Sequence, residues 1–158
     1  MVACDNTKRL DASAVPGGHG TIGAAMGAGQ FDTKRVLVMD DEAPLRRVVS
    51  RMLQFLGYDV MTAADGAEAI DVYRNALESN ARFDIVILDL TVLAGLGGRE
   101  AMQSILQVDP AAVTIASTGY TEDEVMERFT DFGFSGVLAK PYRLDDLRAK
   151  LESIMSAD

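Results

Sequence analysis

From Lys34 onward, apolar and polar positions alternate between two periods. "RVLVM" (35–39) is a short β-branched run that stops at Asp40, and it predicts a strand. Pro44 sits where a first-turn proline belongs. Leu45, Val48, Val49, Met52, Leu53 and Leu56 then recur at helical spacing, and Gly57 supplies the stop. "YDVMTA" reads as a second strand, and Ala67, Ile70, Tyr73, Ala76 and Leu77 mark a second amphipathic helix. "FDIVILD" is apolar at consecutive positions, which predicts a third strand covered on both faces. "GREAMQSILQV" predicts a helix and "AVTIAS" a fourth strand. "TEDEVMERFTDF" follows as a helix whose Thr121 and Glu124 have capping-box spacing. "GFSGVLAK" is the fifth strand. The last helix, "RLDDLRAKLESIM", carries Leu144, Leu147, Leu151 and Ile154 on one side.

Parallel strands need crossover connections, so this alternation predicts an α/β, doubly wound (βα)5 sandwich with helices on both faces of a parallel sheet. Residues 1–33 differ: "DASAVPGGHGTIGAAMGAGQFDT" is rich in Gly and Ala and has neither period. They read as a flexible leader before one domain at 34–156.

Composition narrows the partners. A formal net charge of −9 over 158 residues argues against nucleic-acid and anionic-membrane surfaces, and it suits cations or basic protein partners. The single cysteine, Cys4, excludes an internal disulfide and a multi-thiolate metal site. No apolar run is long enough for a membrane span, and Met1–Leu10 is too polar for a signal peptide, so a cytoplasmic protein is expected. "GHGTIG" (18–23) fits the dinucleotide fingerprint G-x-G-x-x-G, but no strand precedes it, so it counts as a decoy. His19 in the same leader reads as a solvated residue.

Doubly wound sheets bind ligands beyond the carboxyl ends of their strands. Those ends carry Asp40-Asp41-Glu42, Thr62-Ala63, Asp89, Ser117-Thr118-Gly119 and Lys140-Pro141. With the first and third strands as central neighbours, Asp40, Asp41 and Asp89 should converge. Three close carboxylates repel unless a cation intervenes. Mg²⁺ is the natural candidate, with Mn²⁺ in its place. Lys140 adds a fixed positive charge and Thr118 a hydroxyl. Such a set suits attack of a carboxylate on phosphorus. Asp89, alone at the end of the most apolar strand, is the expected nucleophile, and Asp40 and Asp41 the expected metal ligands. Each feature alone has a bland explanation: helix capping and dipole compensation for the acid trio, turn chemistry for Asp89 and Thr118, an exposed strand exit for Lys140. Their coincidence at one sheet edge favours chemistry.

The stretches "VLVMDDE", "VILDLTV", "STGY" and "GVLAKPY" occur in the order and at the intervals of a known family. From about Lys34 to Met155 the chain resembles the receiver domain of two-component response regulators. "DLTV…GG" and "GFSGVLAKPY" look most like receivers of hybrid histidine kinases. The resemblance implies a flavodoxin-like sheet of strand order 2-1-3-4-5. It implies a protein that is not an enzyme, beyond catalysing its own phosphorylation and dephosphorylation. Asp89 would be the phosphoacceptor, fed by a histidine kinase or a histidine phosphotransfer protein. Asp41 would bind Mg²⁺ directly, Asp40 mainly through water, and the Thr91 carbonyl would complete the protein ligands. Lys140 would pair with Asp89 and then with a phosphoryl oxygen. Thr118 would move toward the phosphoryl group and carry the switch to a surface read by a downstream protein. Gly119 matches a small residue that leaves phosphorus accessible.

The chain departs from the family pattern at three places. Many receivers have proline where this chain has Leu93, followed by Ala94; the nearby Gly95, Gly97 and Gly98 add to the freedom expected of that loop. Val137 occupies a position often held by an aromatic that flips on activation, and Tyr120 and Tyr142 are the aromatics at hand to replace it. Thr91 and Tyr120 stand where dephosphorylation is tuned. Two rivals are a receiver fold that acts only as a docking module and a phosphatase of the haloacid-dehalogenase type. The latter typically has a second acid two residues after its nucleophile, where this chain has Thr91. Its metal-binding acids also follow the nucleophile, whereas Asp40 and Asp41 precede Asp89.

Overall fold

The structure, a computed structural model, describes residues 33–119 and 123–157. Most of the expected leader, with Cys4, His19 and the 18–23 decoy, lies outside the described residues, as do Tyr120 and Thr121. Five strands and five helices alternate: β1 (Arg35–Met39), α1 (Ala43–Phe55), β2 (Asp59–Ala63), α2 (Gly66–Glu78), β3 (Ile85–Asp89), α3 (Gly98–Val108), β4 (Thr114–Thr118), α4 (Asp123–Arg128), β5 (Gly136–Ala139) and α5 (Leu144–Met155). The strands form one parallel sheet in the order β2-β1-β3-β4-β5.

Side chains on a strand alternate between faces, so this sheet has two cores. Leu37, Met39, Val86, Leu88 and Ala116 face α2, α3 and α4, where they meet Tyr73, Met102, Ile105 and Val125. Val36, Val38, Ile85, Ile87, Ile115 and Leu138 face α1 and α5, where Val49, Leu53, Leu147 and Leu151 cover them. Every residue of β3 is buried, as its unbroken apolar run predicts.

At the edge the pattern is looser. β2 has one neighbour strand, and Met61 is left 40% exposed. Helix α1 also buries less than its spacing suggests: Val49 and Leu53 are core, while Val48 and Phe55 are exposed. Gly57 ends that helix with φ +92°, a left-handed geometry that any Cβ would strain.

Outside the site, the α3–β4 connection is tied to the core by a buried carboxylate. The Tyr73 hydroxyl donates to Asp109 Oδ2 at 2.7 Å, Arg82 donates to the same oxygen, and the Ala111 N–H donates to Oδ1. Burial and the Asp109 carboxylate both push the Tyr73 phenol far above its usual range.

Candidate functional site: an acid cluster at the switch point

The chain leaves β1 toward β2 on one side and returns to β3 on the other, so the topological switch point lies between β1 and β3. Asp40 follows β1 immediately, and Asp89 is the last residue of β3. The pleat sets their direction. Asp40 continues the series Val36, Val38; Asp89 continues Ile85, Ile87; and Lys140 continues Leu138, all on the α1/α5 face. Carboxylate oxygens of Asp40, Asp41 and Asp89 lie within 4.8 Å of one another.

Asp40 and Asp89 are almost fully buried, and burying a carboxylate is costly unless it is paired. Lys140 does the pairing. Its Nζ is 2.8 Å from Asp40 Oδ2 and 3.1 Å from Asp89 Oδ2. Burial alone would lower the ammonium's pKa, but the two carboxylates outweigh it and raise the value. Backbone donors hold the remaining oxygens. Asp40 Oδ1 accepts from the Glu42 N–H at 2.8 Å, and Asp89 Oδ1 accepts from the Thr91 N–H at 3.1 Å. Asp41 Oδ2 accepts from the Leu93 N–H at 3.0 Å. Asp41, Asp89, Thr91, Leu93, Gly119 and Lys140, with Glu42, line an open cavity of about 340 Å³ above the cluster.

The structure therefore brings Asp40, Asp41, Asp89 and Lys140 together and puts Thr91 on the cavity wall. It does not bring the Thr118 hydroxyl to Asp89. Thr118 follows Ala116 in the pleat, toward α2–α4, and its buried hydroxyl donates to the Gly119 carbonyl at 3.2 Å. The residue in register with Asp89 is Ser117, whose buried Oγ has no hydrogen bond of standard geometry. The Tyr142 phenol approaches it, and burial pushes that phenol's pKa up. Tyr142 packs with the α1/α5 cluster and Val137 with the other, and both line a groove along the β5 edge. Lys140 pairs with Asp89 as expected, and it makes a second, shorter contact to Asp40.

Two supports were missed in the sequence. Arg46 donates to the Asp40 carbonyl from the first turn of α1, a contact that the spacing from Asp40 through Pro44 to Arg46 could have suggested. The Asp41–Leu93 bond joins residues 52 apart, and no local pattern announces it. The donor set itself is all oxygen, which fits a hard cation such as Mg²⁺ rather than a soft one.

Such a fold and site define a flavodoxin-like domain with an acid pocket at its switch point. The sequence profile of the response regulator receiver domain matches residues 36–152, and the chain belongs to that family, the receivers of two-component signalling. Response regulator MprA of Mycobacterium sp. (strain KMS) is 33% identical over 123 residues, covering 77% of this chain and 50% of that protein. The probable transcriptional regulator ycf27 of Porphyridium aerugineum is 30% identical over 126 residues, covering 77% of this chain and 48% of that protein. The chain thus spans about half the length of the curated relatives it matches.

Among solved structures, chemotaxis protein CheY4 of Vibrio cholerae superposes with a TM-score of 0.67 at 31% identity, covering 77% of this chain and 98% of that one. Response regulator TrrA of Thermotoga maritima, solved in complex with Mg²⁺ and BeF, gives a TM-score of 0.65 at 28% identity, covering 77% and 99%. Several relatives are named transcriptional regulators, so they lend no support to the charge-based expectation of no nucleic-acid partner. Among the described residues, no helix is long and apolar enough to cross a membrane.

Proposed function

We propose that this chain is a phosphoacceptor receiver in which Asp89 takes a phosphoryl group from the phosphohistidine of a histidine kinase or histidine phosphotransfer protein. The observation that carries this reading is the position of Lys140 Nζ, between Asp40 and Asp89 and beside the open acid pocket. A carboxylate oxygen of Asp89 attacks phosphorus. The new O–P bond forms as the N–P bond breaks, and the departing imidazole keeps the electron pair and takes up a proton. Lys140 then shifts its charge onto a phosphoryl oxygen, which a small Gly119 leaves reachable. Asp40, Asp41 and Asp89, with the Thr91 carbonyl, would hold Mg²⁺ (Mn²⁺ suits the same oxygens), which when bound supplies positive charge against the phosphoryl oxygens. The catalysis is confined to the protein's own phosphorylation and dephosphorylation.

In this reading, residues 34–156 form the receiver, 1–33 are a leader, and the protein works in the cytoplasm. Thr118 turns from Gly119 toward the phosphoryl group and biases a two-state equilibrium that a downstream protein reads. The test is intact-mass spectrometry after incubation with acetyl phosphate, with and without Mg²⁺, beside Asp89→Asn. A single Mg²⁺-dependent phosphoryl adduct, absent from the variant, supports the reading. An adduct retained by Asp89→Asn would place the acceptor elsewhere.

A further inference from the structure

The segment between β3 and α3 crosses the mouth of the acid pocket, and little apolar burial holds its middle. Leu93 is 92% exposed, and Ala94 and Gly95 are exposed as well. Beyond the bond from the Leu90 N–H to the Ser117 carbonyl, three hydrogen bonds clip the segment instead. The Thr91 N–H donates to Asp89 Oδ1 at 3.1 Å, and the Leu93 N–H donates to Asp41 Oδ2 at 3.0 Å. At the far end, the Gly66 N–H donates to the Leu96 carbonyl at 2.8 Å. The first two clips end on carboxylates of the site itself; the third does not.

We infer that the Leu93 N–H···Asp41 bond is a latch that closes the β3–α3 segment over the pocket when no cation is bound and opens when one binds. The inference rests on the proposed reading that Asp41 helps to hold the metal. A divalent cation at Asp41 draws off the negative charge that makes its oxygen a strong acceptor. A cation held at that oxygen would also stand near the positive end of the Leu93 N–H dipole, where the interaction is repulsive. Charge on the cation therefore opposes both partners of the bond. With the latch open, the exposed Leu93 side chain is free to move, and Gly95, at φ +100°, lies between it and the clip at Leu96. Coupling of this kind is reciprocal: what closes the latch weakens cation binding, and what removes it strengthens binding.

The latch depends on the residue at 93. A proline there would have no N–H to donate. Leu93 keeps that N–H. It supplies a donor that competes with the cation for Asp41.

Two measurements on the full chain test this. Amide solvent exchange by NMR, with and without saturating Mg²⁺, should show the Leu93 N–H gaining exchange when the metal binds while the Gly66 N–H stays unchanged. Calorimetric titration with Mg²⁺ should show Leu93→Pro binding about three- to tenfold more tightly, the scale of one competing hydrogen bond, while Leu93→Ala, which keeps the N–H, follows the wild type. A Leu93 amide equally protected in both states would overturn the latch and leave the metal site standing. Absence of any Mg²⁺ binding to the wild type would overturn the metal assignment and the latch with it. If Leu93→Pro does not fold, the exchange measurement decides alone.

Discussion

Lys140 Nζ, at the end of β5, donates to Asp40 Oδ2 at 2.8 Å, across a hundred residues of sequence. One partly buried cation thereby serves carboxylates at the ends of β1 and β3, the strands that flank the switch point. Lys140→Met keeps the length of the side chain and removes the charge, so Asp40 and Asp89 become unpaired in a buried setting. The variant should lose about 1–3 kcal/mol of stability without divalent cations, because stranded buried charges cost more than the pair contributes. Mg²⁺ should then raise its melting temperature by more than it raises that of the wild type, since the cation replaces the missing charge. Thermal unfolding with and without Mg²⁺ checks this; equal shifts in the two proteins would show that Lys140 does not balance the acids.

Asp109 offers a pH test remote from the site. Burial acts to raise its pKa, but hydrogen bonds from Tyr73, Arg82 and the Ala111 N–H outweigh it and hold the carboxyl below its ordinary value of 3.8. A carboxyl lowered in the folded state contributes stability that is complete above the unfolded value and is lost as pH falls through the folded one. The contribution should therefore be intact at neutral pH and fade below about pH 3.8. Tyr73→Phe removes one of the donors and should cost about 1–2 kcal/mol at pH 7. The loss should shrink in acid as Asp109 protonates. Denaturant melts at a series of pH values measure both; a pH-independent loss would mean that the Tyr73 hydroxyl acts through packing alone.

Gly98 begins α3 directly beneath the strand that ends in Asp89. A Cβ there would stand 2.4 Å from the Asp89 carbonyl oxygen and 3.1 Å from Leu88 Cβ, so backbone must move. Gly98→Ala should cost about 1–3 kcal/mol, as overpacking does, and should slow phosphorylation by displacing Asp89. A Cβ on Gly119 meets nothing within 4 Å. Gly119→Ala should keep stability within about 0.5 kcal/mol and slow phosphorylation only by narrowing access to phosphorus. Chemical denaturation beside acetyl phosphate kinetics separates the two. Equal stabilities for both variants would contradict the packing at Gly98.

The local elements were legible because they answer to local forces. A short β-branched run made "RVLVM" a strand, and an unbroken apolar run announced that β3 would be covered on both faces. Gly57 marked the end of α1 because few other residues accept its φ. From that alternation and the general rule for doubly wound sheets, Asp40, Asp41, Asp89 and Lys140 could be named as residues that would meet. Tertiary structure decided how they meet. Lys140 bonds Asp40 more closely than Asp89, the pleat directs Thr118 away from the acids, and Tyr142 joins the α1/α5 face rather than the side of Val137. The bond from Leu93 to Asp41 had no sequence signal at all. Periodicity reports which face of its own element a residue occupies; a 3.0 Å contact between residues 52 apart depends on how two loops from different strands are brought side by side.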